Sequence, residues 1–366
     1  MAAVPGTGPR VVPTLLGIAL SVTTIIFVLS WWSASTGSAD TSSTTTMVSS
    51  TTTTVALPTT TVAGSALPWP HQGTSAVAVP QVSVVVGSPH QRARPIASLT
   101  KMMTTWVILH HLPLAVGQRG PCVTVTAHDV AVYKYDNATG QSDAAVKEGE
   151  RLCENMLLEG LLVHSAGNFA FIFLRILGVG ETAFVAQMNR DAKSLGLFNT
   201  HYVDPTGIKP GDRSTALDQV ALAADLMTNE PIVRSIVSRP HVVLPVAGDL
   251  ISYTPFVGFD GVIGVKSGYT IPAGGCDAMA VRYVVKGVTI TTYAVVLGQQ
   301  GGDSINHAAE FALNLNHALR RYLAVQSTPS GKRVIWTGSP GDVVTTTTST
   351  TTTTIPVTTS STTTTP

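Results

Sequence analysis

Charge is scarce in this sequence. Only 12% of its 366 residues are Asp, Glu, Lys or Arg, and 22 basic residues against 21 acidic ones leave a formal net charge of +1. Binding to the phosphates of a nucleic acid needs a basic surplus, so nucleic acid is excluded as an expected partner. Cysteine is scarce as well. The three present form no C-x-x-C pair and no H-E-x-x-H occurs, so neither a metal site nor a cofactor is expected. Long apolar runs are also missing, with one exception at the N-terminal end.

That exception is Val11 to Trp32, a stretch of 22 residues without a charge. At about 1.5 Å per residue it can cross a hydrocarbon core of about 30 Å. Its two closing tryptophans suit a membrane interface. We read it as a retained single-pass anchor behind a short cytoplasmic segment, residues 1–10, whose only charge is Arg10. The alternative is a cleaved signal peptide, with the small residues Gly37 and Ala39 near the cleavage point, which would leave the protein secreted. In both cases the rest of the chain is exported.

Threonine is what the chain has in excess. Tracts such as "TSSTTTMVSSTTTTVALPTTT" within residues 33–65 and "TTTTSTTTTTIPVTTSSTTTTP" within 341–366 hold too little apolar surface to offset the entropy of ordering. Both are expected to be disordered, the first as a stalk. Their composition is that of O-glycosylated stalks or of unmodified flexible spacers. The folded region is therefore expected at 66–340.

Within it, "TSAVAVPQVSVVVGS" (74–88) reads as a strand pair broken at Pro80. Helical spacing follows from Ser98 to His111, Cys153 to Val163 and Asn168 to Leu177. A further helix starts at Ser214, with Asp218 close behind, and an amphipathic one covers 305–323. Two β runs at 278–298 turn around Lys286-Gly287. Strands at both ends with helices between them predict an α+β fold, an antiparallel sheet flanked by helices. In an exported chain Cys122 and Cys153 are a candidate disulfide, leaving Cys276 as a buried thiol.

Three short motifs carry chemistry. In "PIASLTKMMTTWVILHH", Ser98 and Lys101 stand three residues apart and share a helix face. A lysine held against an apolar surface is pushed towards its neutral form, and a neutral amine beside a hydroxyl is a base beside a nucleophile. The plain alternative is Ser98 as a helix N-cap with the stem of Lys101 along the surface. "LLVHSAGNFA" sets Ser165 and Asn168 at a junction between two helices, and "GVIGVKSGYTIPAGGC" puts Lys266, Ser267 and Gly268 on a strand flanked by glycines. His164, beside the second motif, is read as structural.

Ser-x-x-Lys, a serine/asparagine turn and Lys-Ser-Gly, in that order, resemble the penicillin-recognising serine enzymes. The match extends over "LLEGLLVHSAGN", "MNRDAKSLGLFNTHYVDPTGI" and "STALDQVALAADLM", and on these the chain is identified as a member of the S11 family of D-alanyl-D-alanine carboxypeptidases. The resemblance implies the β-lactamase/transpeptidase-like fold and a domain facing the cell wall. It implies that Ser98 attacks the penultimate D-alanine of a peptidoglycan stem peptide, with Lys101 taking its proton and Ser165 relaying one to the leaving amine. Lys266 would bond to Ser165 and, with Ser267, face the substrate carboxylate, beside Gly268. The amides of Ser98 and Tyr269 would form the oxyanion hole, and β-lactams would acylate Ser98.

The pattern is broken in three places. The second motif usually ends in asparagine at the position of Gly167, and Asn168 comes one residue later, either swinging into the role or leaving it empty. Ser267 stands where threonine is common. The stretch "GGDSINHAAEF" (301–311) offers His307 where relatives tend to carry an arginine. A catalytically weakened relative that binds wall peptide or division partners is thus a second reading. A β-lactamase is a third and weaker one, since "DPTGIKPGDRSTA" holds Asp204 and Asp212 but no glutamate. Many relatives carry a further β-sandwich, for which no counterpart is expected after the last helix.

Overall fold

The computed structural model describes residues 67–285, 287–328 and 331–336. The expected anchor, stalk and threonine tail lie outside these residues, as does Lys286. Among the described residues no single helix is long and apolar enough to cross a membrane.

The chain opens with β1 (Thr74–Val79), a short 3-10 turn at Pro80–Val82, β2 (Val84–Gly87) and β3 (Arg94–Pro95). After α1 (Thr100–His111) come β4 (Cys122–Thr124), α2 (Ala127–Ala138) and β5 (Arg151–Cys153). Three helices follow, α3 (Glu154–Val163), α4 (Gly167–Leu177) and α5 (Glu181–Ser194), then β6 (Arg213–Ser214), α6 (Ala216–Asn229) and α7 (Pro231–Val237). The last part runs β7 (His241–Leu244), β8 (Gly248–Ile251), β9 (Val262–Thr270), β10 (Gly274–Val285), β11 (Val288–Gln299) and α8 (Ser304–Tyr322). A hairpin of β12 (Leu323–Thr328) and β13 (Gly331–Trp336) closes it.

The main sheet has the order β2-β1-β11-β10-β9, with every neighbouring pair antiparallel. Because side chains alternate along a strand, each strand serves two cores. Val77 and Val79 of β1, with Ala294 and Val296 of β11, pack on the Ala308, Ala312 and Leu315 face of α8. Ala76, Ala78, Val295 and Leu297 point the other way, into a larger core with α1, α3, α4 and α6. The sheet is thus buried on both faces between α8 and the helical layer, as an α+β reading requires.

Three details differ from the sequence-based expectation. The helix expected from Ser214 is capped by Thr215, whose Oγ1 accepts from the amide of Asp218 (3.1 Å), while Ser214 lies in β6. Helices α2, α5 and α7 are additional to the expected elements. The chain also does not pass directly from α8 to the threonine tract. The hairpin of β12 and β13 intervenes. Cys122 and Cys153 pair in register across β4 and β5 and form the expected disulfide. Cys276 is buried, and burial pushes its thiol up to about 12.

Candidate active site

Ser98 is not an N-cap. It occupies a 3-10 turn, Ala97–Leu99, that runs into α1, whose N-cap is Leu99 with no side-chain cap bond. Lys101, in the first turn of α1, stands one turn on from Ser98 on the same face. Lys101 Nζ lies 2.9 Å from Ser98 Oγ and donates to the carbonyl of Thr206 (2.8 Å). Burial lowers the Lys101 amine to about 8, against the opposing charges of Asp204, Asp136 and Asp212. The turn is held under strain, since Ala97 has φ +49° without being glycine.

Thr206 is placed by two buried carboxylates. Asp204 accepts from the amides of Thr206, Gly207 and Lys209 and from Thr206 Oγ1, at 2.6 to 2.8 Å. Burial works against the charge of Asp204, but these hydrogen bonds outweigh it and hold the carboxyl below its usual range. Asp212 accepts from the amides of Val203 (2.5 Å) and Asp204 (3.1 Å) and from Thr100 Oγ1 (3.2 Å), tying the loop to α1. Both acids are spent on backbone geometry and stay out of the cleft. Gly207 completes the contact, for a Cβ there would stand 1.9 Å from the carbonyl of Ala97.

Ser165 joins α3 to α4 in a left-handed conformation, φ +64°, and is 2% exposed. Its Oγ has no hydrogen-bond partner among the described residues. The bond expected from Lys266 is not made. Lys266, fully buried on β9, donates to the carbonyl of Ser267 (2.7 Å). Burial, with Lys101 nearby, holds its amine well below the ordinary lysine value despite the opposing charge of Asp277. The Ser267 carbonyl is the acceptor within its reach. Ser267, 2% exposed, turns its hydroxyl to the carbonyl of Tyr253 (2.5 Å). Neither residue lines the cleft in this structure, contrary to the role of facing a substrate carboxylate. His164 is bonded through Nδ1 to the carbonyl of Ile251 (2.9 Å), a structural contact.

Asn168 also corrects the expectation. It points neither at Lys101 nor at solvent. Its side chain brackets Ala144, accepting from the amide (3.1 Å) and donating to the carbonyl (2.8 Å). The amide of Gly167 donates to the carbonyl of Ser142 (2.8 Å), so the second motif clamps the 142–144 segment against α4. Asn168 is thus a bracket for Ala144 and does not reach the cleft. Gln141 and Ser142 line the cleft with Ser98, Lys101, Gly167, Thr206 and Tyr269. The sequence held no signal for Thr206, because it acts through its carbonyl, which every residue has.

Gly268 explains the third motif. A Cβ on it would lie 2.7 Å from the Ser98 amide, so only glycine lets β9 pass this close to the nucleophile's turn. Tyr269 follows on the same strand, half exposed at the cleft mouth.

With this geometry in place, similarity to known proteins becomes informative. The profile of the family described as D-alanyl-D-alanine carboxypeptidase, peptidase S11, matches residues 59–301. The D-alanyl-D-alanine carboxypeptidase DacF of Bacillus subtilis is 28% identical over 265 residues, 69% of this chain and 63% of the relative. DacB2 of Mycobacterium tuberculosis is 32% identical over 194 residues, 51% of this chain and 62% of the relative. The chain thus spans somewhat less than two thirds of these relatives. Among solved structures, penicillin-binding protein 6B from Escherichia coli superposes with a TM-score of 0.60 at 25% identity, covering 74% of this chain and 86% of its own. The Streptomyces K15 DD-transpeptidase shares the fold with a TM-score of 0.60 at 22% identity, covering 69% of this chain and 98% of its own. The three motifs in their order, the fold and the profile match over most of the chain lead to one conclusion: this chain belongs to the S11 family of D-alanyl-D-alanine carboxypeptidases.

Proposed function

We propose that the protein is a serine-type D-alanyl-D-alanine carboxypeptidase that removes the terminal D-alanine from peptidoglycan stem peptides, working outside the membrane to which Val11–Trp32 tethers it. The observation that carries this is the buried Lys101 amine, 2.9 Å from Ser98 Oγ and lowered to about 8. A lysine in that state is partly neutral near physiological pH and can accept the serine proton. As Oγ bonds to the penultimate D-alanine carbonyl, its proton passes to Nζ and the carbonyl electron pair moves to oxygen. The amides of Ser98 and Tyr269 are the donors for that oxygen. Collapse expels terminal D-alanine, protonated by way of Ser165, whose Oγ has no protein partner to release first. Water then clears the acyl-enzyme, and a β-lactam would be trapped at the same step.

A second reading draws on Asn168, Lys266 and Ser267, whose polar atoms are all bonded inside the protein. On this reading the protein is a catalytically weakened relative that binds wall peptide or division partners without cleaving them. Mass spectrometry of the full chain after exposure to a penicillin separates the two, with Ser98→Ala beside it. A gain of one drug mass that Ser98→Ala lacks, together with release of D-alanine from a stem pentapeptide, supports the carboxypeptidase. No adduct after hours on folded protein refutes it.

A further inference from the structure

Gly167 takes away the side chain that usually closes the second motif, and another element reaches into that place. A Cβ on Gly167 would stand 3.8 Å from Oδ2 of Asp136, which comes from the last turn of α2. Local influences there disfavour a carboxylate. Asp136 is 4% exposed, Asp143 adds a like charge, and the C-terminal end of a helix carries the negative pole of its dipole. Among the described residues no hydrogen bond to its carboxylate oxygens is found. The favourable influence is the charge of Lys101, and it acts both ways: Asp136 helps to keep a proton on Lys101, and Lys101 resists protonation of Asp136.

We propose that Asp136 is a positioning residue, filling the function of the missing motif side chain by presenting a carboxylate to the Lys101 amine beside Ser98. The inference rests on the reading of Ser98 and Lys101 as nucleophile and base. When Ser98 attacks, its proton moves to Lys101 and a buried ammonium is formed. Asp136 stabilises that ammonium from α2, as Asp204 and Asp212 do from the loop that carries Thr206, while Lys266 on β9 opposes it. Asp143, facing His164 at the end of α3, is the remaining charged group beside Asp136. An asparagine returned to position 167 would meet Ser142 O at 3.3 Å from its Cβ and drive its amide towards Asp136.

The geometry also orders the titrations. Burial, with Asp143 beside it, raises Asp136 to about 6, below the value of about 8 for Lys101. Asp136 is therefore charged across the range in which Lys101 releases its proton. Removing that charge lowers the Lys101 value and moves the rising limb of acylation to lower pH.

The test uses the full chain carrying 13C-labelled lysine, with the Lys101 signal identified by its loss in Lys101→Met. In Asp136→Asn the Lys101 titration midpoint should fall by about half a pH unit or more. The rising limb of penicillin acylation should fall with it, and Asp136→Glu should restore both. An unchanged Lys101 midpoint in Asp136→Asn overturns the proposal, whether or not acylation has slowed, because a purely structural loss leaves the midpoint alone. If penicillin acylates neither protein at any pH, the carboxypeptidase reading fails, and the Lys101 titration alone decides the role of Asp136.

Discussion

Removing the Asn168 side chain should cost stability before it costs chemistry. In Asn168→Ala both groups of Ala144 that the carboxamide serves, an amide at 3.1 Å and a carbonyl at 2.8 Å, lose their partner. Ala144 is 2% exposed and Asn168 1%, so water does not readily replace either bond. A buried backbone group left unsatisfied costs about 1–3 kcal/mol, so the pair predicts a loss of about 2–6 kcal/mol in unfolding free energy. Asn168→Asp should be at least as damaging, since one carboxylate oxygen would face the Ala144 carbonyl. The measurement is urea unfolding of each variant, paired with the penicillin acylation rate of the fraction still folded. The structure predicts a lower midpoint and an acylation rate within about tenfold of the native one, as the Gln141–Ser142 wall loosens but Ser98 and Lys101 stay in place. Unfolding stability within about 1 kcal/mol of native, with acylation down by about a hundredfold or more, would refute the bracketing role and return Asn168 to the reacting centre.

Two further outcomes follow from the same packing. Glu154 begins α3 with both carboxylate oxygens buried and unpartnered among the described residues, and burial raises it to about 7. A folded value above the unfolded one means stability is fullest below about pH 4.5 and is lost as pH rises through about 7. Glu154→Gln should remove that loss, up to about 3 kcal/mol at pH 8, in denaturant titrations compared at pH 4.5 and 8; parallel pH dependence in the two proteins would contradict it. Gly268→Ala places a methyl 2.7 Å from the Ser98 amide and must push β9 away from the nucleophile. Penicillin acylation should fall by about a hundredfold or more with far-UV circular dichroism unchanged, and a native rate would show that the close passage of β9 is not needed.

Much of the fold was readable because it rests on periodicity. The paired strands around Pro80 and around Lys286-Gly287 follow from period-2 apolar patterns broken by turn residues, and α8 from an apolar stripe at helical spacing. The elements that escaped were those whose burial depends on distant partners. In α2 the buried residues are the acids Asp129 and Asp136, which no hydrophobic pattern marks, and Asp129 is held inside by Arg175 of α4 at 2.7 Å. The β12–β13 hairpin was hidden by its position next to a low-complexity tract.

The order Ser98-x-x-Lys101, Ser165, Lys266-Ser267-Gly268 is a property of the sequence, and it determines the family, because side-chain type and short spacing decide which groups can meet within a turn or along a strand. The disulfide partners were legible for a similar reason: few cysteines leave few pairings. What tertiary structure alone decided is where each polar atom finds its partner. Asn168 went to Ala144, Lys266 to the carbonyl of Ser267, Lys101 to the carbonyl of Thr206, and Asp136 came to stand beside Gly167. Each of these is a contact to a backbone group or to a residue remote in sequence, and buried polar groups take the acceptor that packing brings within 3 Å, a distance that no local pattern encodes.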